Sequence, residues 1–399
     1  MPYKLAYFVS HPIQYQAPLL RFIAAKKDIE LKVFFYSNFS LKTYRDSGFG
    51  QCIQWDIPLT EGYDYQFLKC WGSKQPTGIL RQAIATDISQ HLKQGKFDAV
   101  WVHGWSQISS LQVILISEYL GIPVLMRGES NGLQQSNNQL KSLVKNIFLT
   151  NIYKKIAGFL YIGTLNYRFY QSYGIGENRL FLMPYTVNNE YFQNQAALAQ
   201  TNREDLRRSL NLDTGRPIIL YAAKLIDVKR PQDLLEAYRL LSPDGVQEPE
   251  PYLLFVGDGS LRSQLESAAK ETNWQSIRFL GFRNQSELPA FYNLCDVFVL
   301  PSSFEPWGLV VNEVMNAAKP VIASDQVGAA VDLIRDGKNG YVFPVGSVTE
   351  LAECLKRIVN NPGNALQMGE HSLTRIQNWS FDEDYVALLQ AITTVIAHR

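Results

Sequence analysis

The sequence predicts an α/β protein with two parallel-sheet domains, and three observations lead to this prediction. The chain has 399 residues, which is long for one hydrophobic core and suits two domains. Short apolar runs alternate with segments of helical spacing, a pattern typical of parallel strands joined by crossover helices. Hydrophobic residues make up 46% of the chain, which is enough to fill sizeable cores.

The charge, the cysteine spacing and the apolar runs of the sequence argue against several classes of function. The formal net charge is +1, so no overall basic field indicates a nucleic-acid partner. The cysteines lack C-x-x-C and zinc-site spacing, which favours a reduced, cytosolic protein with unpaired thiols. The apolar run at the N-terminus is too short for a signal peptide, and Leu111–Leu120 is too short to span a bilayer.

In the N-terminal half, apolar runs predict strands at 4–9, 31–36, 97–102, 121–126 and 159–163, with a helix from about Pro18. The aromatic stretch 38–75 is interpreted as a long binding loop. In the C-terminal half, strands are predicted at 218–222, 252–256, 277–280, 296–300, 320–323 and 341–343. The polar stretch 193–213 is interpreted as a linker running into a helix at 204–210, and 379–396 as a final helix.

Polar residues follow two of the predicted N-terminal strands. For His11, Gln14 and Tyr15 two interpretations stay open, side chains offered to a cleft or a tight capping turn. Arg127 and Glu129 directly follow the strand 121–126, where open α/β sheets bind ligands. A salt bridge within the domain is the alternative for this pair.

The segment 140–156 is predicted to be a basic amphipathic helix. It carries Lys141, Lys145, Lys154 and Lys155. Such a helix suits an anionic membrane surface, and a simple solvated face is the alternative interpretation.

The stretch 300–332 contains the most specific pattern. A short buried strand ends at Leu300, and a helix is predicted to begin near Gly308. The first N–H groups of that helix, at Gly308, Leu309 and Val310, and the positive end of its dipole suit a phosphate. Glu305 and Glu313 bracket the turn with the spacing E-x7-E, and Glu313 is placed to meet neutral hydroxyls. Chance occurrence of two glutamates is the alternative for that spacing alone.

The string E-P-W-G-L-V-V-N-E, after a strand ending P-S-S, closely resembles the signature of retaining, nucleotide-sugar-dependent glycosyltransferases of family 4, also called glycosyl transferases group 1. The resemblance extends over about 218–358 and more weakly over the N-terminal half. It implies the GT-B fold, in which two Rossmann-like domains face a central cleft. The implied domains are 1–195 for the acceptor and 196–379 for the donor, with the last helix, 380–399, packing back on the first.

The resemblance also implies roles for individual residues. Lys224 and Lys229 would contact the donor diphosphate, although the family typically has arginine at the first position. Lysine keeps the charge there but loses the bidentate grip, part of which Arg230 would supply. Glu305 would hold hydroxyls of the donor sugar and His103 would reach towards that sugar.

Further implied contacts lie around the nucleotide and the acceptor. Glu313 would hold the ribose, the turn at Gly257 would flank the nucleotide, and backbone groups at Phe282 and Arg283 would read the base edge. The family's glycine-containing loop after the first strand is missing here. The acceptor-side candidates are His11, Gln14, Tyr15, Arg127 and Glu129.

The resulting prediction is a retaining hexosyltransferase that moves a sugar from a UDP- or GDP-sugar to a glycan or lipid-linked acceptor in cell-surface polysaccharide or glycolipid biosynthesis. It would act in the cytoplasm or at the inner face of the membrane, without a metal, a further cofactor or nucleic acid. The sequence Asp382-Glu383-Asp384 lies in the predicted final helix, away from a D-x-D metal context. The alternatives are a soluble enzyme like sucrose synthase or sucrose-phosphate synthase, and a nucleotide-sugar-binding subunit without turnover.

Overall fold

The computed structural model describes residues 1–72, 84–133, 139–241, 250–271 and 275–398. Contacts within the chain divide it into two compact units. The first unit comprises Met1–Tyr44, Ile57–Tyr185 and Phe381–Arg399, and the second comprises Arg45–Asp56 and Thr186–Ser380. A short segment of the N-terminal half therefore belongs to the second unit.

The strands of the described residues are, in chain order, β1 Tyr3–Val9, β2 Ile29–Phe35, β3 Tyr44–Asp46, β4 Gln51–Ile53, β5 Asp64–Phe67, β6 Cys70–Trp71, β7 Ile84–Ala85, β8 Ala99–His103, β9 Val124–Arg127, β10 Gly158–Tyr161, β11 Leu180–Leu182, β12 Ile218–Ala222, β13 Tyr252–Val256, β14 Ile277–Gly281, β15 Val297–Leu300, β16 Val321–Ser324 and β17 Gly340–Phe343.

The α-helices of the same residues are α1 Ala17–Ala24, α2 Ile88–Gly95, α3 Ile108–Tyr119, α4 Gln139–Tyr153, α5 Thr164–Ser172, α6 Asn189–Thr201, α7 Arg203–Ser209, α8 Pro231–Arg239, α9 Arg262–Glu271, α10 Leu288–Leu294, α11 Leu309–Asn316, α12 Gly328–Leu333, α13 Val348–Val359, α14 Pro362–Ile376 and α15 Phe381–Ala397.

The first unit is built on a parallel sheet. Among the described residues it has seven strands in the order β11-β10-β9-β8-β1-β2-β5. Side chains alternate across the sheet, so Leu5 and Tyr7 of β1 pack with α1 and α15, while Ala6 and Phe8 pack with helices on the other face. Both faces are covered, as expected of a parallel sheet.

The second unit has its own parallel sheet, with six strands in the described part of the chain in the order β14-β13-β12-β15-β16-β17. Tyr221, Phe255 and Val299 are fully buried in its core. The chain crosses from β13 and β14 on one side of β12 to β15 on the other. Loops leaving β12 and β15 diverge at that switch point, which is where open α/β sheets bind ligands. Both predicted parallel sheets are confirmed.

The interpretation of 38–75 as one irregular loop is wrong for the residues described. Asp64–Phe67 forms β5, which pairs in parallel with β2 at the edge of the first sheet. The ring of Phe67 lies 5.5 Å from that of Phe35, centroid to centroid, so the strand is held by cross-strand aromatic packing. Residues 73–75 lie outside the described residues.

The predicted linker is wrong for residues 193–201, which belong to the helix α6, whereas the helix predicted at 204–210 is confirmed as α7. Asn188 caps α6 by accepting a hydrogen bond from the backbone N–H of Tyr191, and Phe192 and Ala196 bury one side of the helix. The division of the chain accordingly falls between Tyr185 and Thr186, whereas a boundary after 195 would cut this helix.

Candidate functional site

Lys229 and Glu305 meet beside the switch point of the second sheet. Lys229 ends a 3-10 turn, Asp227–Lys229, in the loop after β12, and Glu305 lies in the loop after β15. The Lys229 ammonium donates a hydrogen bond to a carboxylate oxygen of Glu305. The two loops are joined further by the N–H of Ser303, which donates to the carbonyl oxygen of Val228 at 2.8 Å. Two predicted site residues are thus brought together from different parts of the sequence.

The surroundings of Lys229 destabilise its charged ammonium form. Burial, together with the nearby positive charge of Lys224, lowers the pKa of Lys229 to about 8. Because an anion would stabilise both ammonium groups, this pair of lysines favours a negatively charged ligand.

Lys224, the other predicted phosphate contact, already forms an ion pair with Asp46. Its ammonium donates to both carboxylate oxygens of Asp46, at 2.8 and 3.1 Å, and lies 4.7 Å from the ring centroid of Phe49. The backbone N–H groups of Gly48 and Phe49 donate to the same carboxylate. Burial opposes ionisation of Asp46, but these hydrogen bonds and the charge of Lys224 lower its pKa overall.

The sequence placed Asp46 and Phe49 in the predicted binding loop 38–75 but did not indicate that either contacts Lys224. Asp46 lies 178 positions before Lys224 and follows no strand of the second sheet, so no local pattern marks it. Its segment, Arg45–Asp56, is held to the second unit at two further points. The side chain of Asn284 donates to the carbonyl oxygen of Gln54, and the hydroxyl of Ser286 donates to Asp56.

Helix α11 begins beside Glu305 as predicted. Gly308 precedes its first residue with a φ of 97°, a left-handed conformation that favours glycine, and a Cβ there would lie 3.1 Å from Cγ of Glu305. Leu309 and Val310 occupy the first two helical positions, where N–H groups have no acceptor within the helix. These amides and the helix dipole provide a partial positive charge near the Lys229–Glu305 pair.

Glu313 lies in the second turn of α11 and accepts a hydrogen bond of 2.6 Å from the hydroxyl of Tyr292. Burial raises the pKa of Glu313 to about 7, although the hydrogen bond from Tyr292 partly offsets this effect. The carboxyl group therefore changes protonation state near neutral pH.

The predicted nucleotide turn is tightly constrained at Gly257. Its φ is 137°, and a Cβ would lie 2.0 Å from the carbonyl oxygen of Ala223, so only glycine fits. After β14, the ring of Phe282 lies 4.8 Å from that of Phe49, centroid to centroid. The guanidinium of Arg283 pairs with Glu287. The guanidinium of Arg230, which was predicted to supply part of the grip on the diphosphate, pairs with Asp233.

In the first unit, three acceptor-side candidates and His103 form a polar cluster at the carboxyl ends of β1, β8 and β9. Glu129 accepts hydrogen bonds from the hydroxyls of Tyr15 and Tyr185, and Nε2 of His103 lies 3.5 Å from its carboxylate. Burial opposes the charge of Glu129, but its bonds to His103 and Tyr185 hold its pKa below the ordinary value. His11 joins this cluster electrostatically, since burial and the charge of His103 lower its pKa to about 4. Gln14 is half-buried in the turn before α1.

Arg127 shows the internal salt bridge that the sequence left open. It is 3% exposed, and its Nη2 donates to the carbonyl oxygen of Pro184 at 2.6 Å and lies 3.5 Å from Oδ1 of Asp384 on α15. The guanidinium is therefore engaged inside the unit. These contacts hold α15 against the sheet, and a direct role of Arg127 at the acceptor stays a prediction.

A comparison with known protein families matches part of the second unit. Residues 202–375 match the family model described as Glycosyl transferases group 1. The chain carries a glycosyl transferases group 1 domain. Lys224, Lys229, Glu305 and Glu313 all lie within it. A curated relative, alpha-D-kanosaminyltransferase of Streptomyces kanamyceticus, is 28% identical over 195 residues, which is 49% of this chain and 48% of that protein. The chain thus spans about half the length of the curated relatives it matches.

Solved structures similar to the whole chain confirm the GT-B fold. The sucrose-phosphate synthase of Thermosynechococcus elongatus has a TM-score of 0.69 at 19% identity and full coverage of both chains. Anabaena Alr3699/HepE in complex with UDP has a TM-score of 0.71 at 15% identity, also with full coverage of both, and it is known in complex with UDP-glucose as well. No helix among the described residues is long and apolar enough to cross a membrane.

Proposed function

We propose that this protein is a glycosyltransferase that takes its sugar from a nucleotide diphosphate sugar, either a UDP- or a GDP-sugar. The contact between Lys229 and Glu305 carries the proposal, because it puts a cation for the diphosphate beside an acid for the sugar hydroxyls. The group 1 domain and the UDP and UDP-glucose complexes of similar structures support this assignment.

The chemistry follows from the charge that develops during transfer. As the bond from the anomeric carbon to the diphosphate breaks, negative charge grows on the leaving oxygen. Lys229, Lys224 and the first amides of α11 would stabilise that charge, and one such preorganised contact contributes roughly 2.7–4 kcal/mol. Glu305 would hold donor-sugar hydroxyls and Glu313 the ribose, with no metal ion required. Gly257, Phe282 and Arg283 would line the nucleotide.

The finer features belong to the same proposal. The acceptor would be a glycan or a lipid-linked glycan contacted through the cluster around Glu129, with His103 reaching towards the donor sugar. The transfer would retain the configuration at the anomeric carbon, with the leaving phosphate accepting the proton of the acceptor hydroxyl on the same face. The site would work in the cytoplasm.

A thermal-shift panel of nucleoside diphosphates and their sugars tests the donor assignment. Ligands that bind only the folded protein raise its apparent stability with concentration over Kd, so the panel ranks bases and sugars without an acceptor. We expect UDP or GDP and one of their sugars to raise the midpoint in the wild type and much less in a Lys229→Ala/Glu305→Ala variant. Absence of any shift with every diphosphate would overturn the proposal.

A second measurement separates an enzyme from a binding subunit. Release of UDP or GDP from the stabilising donor, with and without oligosaccharide and lipid-linked acceptors, should show turnover that chelation with EDTA leaves unchanged. Binding without release would support the non-catalytic alternative, and transfer to free monosaccharides would support an enzyme like sucrose-phosphate synthase.

A further inference from the structure

Helix α4 presents an apolar stripe to solvent along most of its length. The stripe consists of Leu140, Leu143, Val144, Ile147 and Phe148, and these side chains are between 40% and 71% exposed. Their spacing of three and four residues places them on one face of the helix. The C-terminal end of the helix is anchored by Leu149, Ile152 and Tyr153, which are buried in the core of the first unit. The α4 stripe therefore extends outwards from an anchored helix end.

The charged residues of α4 itself are all lysines, whereas Lys155 just beyond the helix pairs with Glu118 of α3. Between Gln139 and Lys155 the chain has four lysines and no acidic residue. Lys141 and Lys145 are exposed on the helix that carries the stripe, and the ammonium of Lys145 lies 6.0 Å from the ring centroid of Trp105. That indole ring in turn lies 6.1 Å from the ring of Phe148. Basic groups, an indole ring and apolar side chains thus form one surface.

A second copy of this chain is a poor occupant for that surface. A stable protein interface takes about 20–30 residues, or roughly 800 Å², from each partner, whereas the stripe is one helix wide. A symmetric dimer through α4 would also bring the lysines of both copies together without acidic partners on this helix. The interface of an anionic bilayer avoids both problems, since acyl chains accept the apolar face and lipid phosphates accept the ammonium groups.

We propose that the α4 stripe docks this protein on an anionic phospholipid surface. The helix would lie in the plane of the interface, with Leu140, Val144 and Ile147 among the acyl chains and Lys141 and Lys145 at the phosphates. This inference does not depend on sugar transfer, because it rests on the exposed face of α4 alone.

Sedimentation with vesicles tests this docking. The full chain is mixed with vesicles of pure phosphatidylcholine or with vesicles containing phosphatidylglycerol, at low and high salt. We expect binding to the anionic vesicles, weakened by salt, and little binding to phosphatidylcholine. Leu140→Glu/Val144→Glu should abolish binding, and Lys141→Gln/Lys145→Gln should weaken it about 30-fold, since each lysine near such a surface contributes about fivefold.

Matched controls separate docking from misfolding and from surface chemistry in general. Leu366 and Leu198 are 72% and 61% exposed, against 71% and 60% for Leu140 and Val144, so Leu366→Glu/Leu198→Glu should bind vesicles like the wild type. Circular dichroism melting checks that the stripe variant still folds. Equal vesicle binding by the wild type and a folded stripe variant, or no binding by the wild type, would overturn the proposal. A dimer that forms with increasing concentration in the wild type and in the control variant but not in the stripe variant would also overturn the proposal.

Discussion

Lys229 donates a hydrogen bond to Glu305 across 76 positions of sequence, and the two side chains are only 19% and 16% exposed. Removing either charge takes away a partly buried partner of the other, which costs folding free energy. The contact therefore has two functions to separate by experiment, one in stability and one in the proposed transfer.

Alanine at either residue of this pair should lower transfer strongly. We expect Lys229→Ala and Glu305→Ala to reduce kcat on the order of 10²- to 10³-fold, as when one preorganised contact to a developing charge is removed. Steady-state kinetics with the donor identified by thermal shift measures this effect.

The surface ion pair of Lys356 with Glu353 supplies the control, because its side chains are 34% and 61% exposed. Lys356→Ala should leave kcat unchanged. The double variant Lys229→Ala/Glu305→Ala should be more stable to urea than the worse of its two single variants, since both buried charges are removed together. Wild-type turnover in a folded Lys229→Ala protein would contradict the site assignment.

Asp46 should compete with a diphosphate for Lys224. Asp46→Asn keeps an oxygen that accepts from the N–H groups of Gly48 and Phe49 but removes the negative charge facing Lys224. We expect UDP or GDP to bind several-fold more tightly to this variant, with calorimetry as the measurement.

Asp205 provides a matched control, because it is exposed and pairs with Arg208. Asp205→Asn should leave the nucleotide affinity unchanged. If Asp46→Asn instead weakens nucleotide binding, the carboxylate serves to orient Lys224 and the competition model fails.

Glu313 should make nucleotide binding and stability depend on pH near neutrality. The pKa of this carboxyl is about 7 in the folded protein against an ordinary value of 4.5, so folding takes up a proton between these values. Its contribution therefore makes the protein less stable as pH rises from 4.5 to 7. An ionised Glu313 accepts ribose hydroxyls better, so nucleotide affinity should rise through pH 7.

Glu313→Gln should flatten both profiles, as measured by urea unfolding and calorimetry between pH 5 and 8. Glu236→Gln is the control, because Glu236 is half exposed and pairs with Arg239 on the surface of the same unit. A Glu313→Gln profile that matches the wild type would show that another group titrates.

Asp384 should hold the final helix on the first unit through Arg127. Asp384 is fully buried, and removing it leaves the Arg127 guanidinium without its acidic partner. We expect Asp384→Ala to lower the free energy of unfolding by about 3–5 kcal/mol. The neighbouring Asp382 is 73% exposed, so Asp382→Ala should change it by less than about 1 kcal/mol. Equal urea midpoints for the two variants would contradict this role.

The sequence by itself determined the two parallel sheets, the strand β15, the beginning of α11 at Gly308 and the residue types at the candidate donor site. These are local features, because apolar runs, helical spacing and a glycine with positive φ depend on neighbours in the chain. The sequence did not predict α6, because its mostly polar composition gives little sign that Phe192 and Ala196 are buried. It also did not predict β5, because the aromatic packing of β5 against β2 depends on residues far along the chain.

Only the tertiary structure decided which charges meet. The pairing of Asp46 with Lys224, of Lys229 with Glu305 and of Arg127 with Asp384 joins residues that lie far apart in the chain. Such contacts are set by how loops leave neighbouring strands and by which side chains burial forces to pair. A sequence pattern fixes the position of a charge along the chain, whereas the packed sheet fixes which opposite charge lies within reach of it.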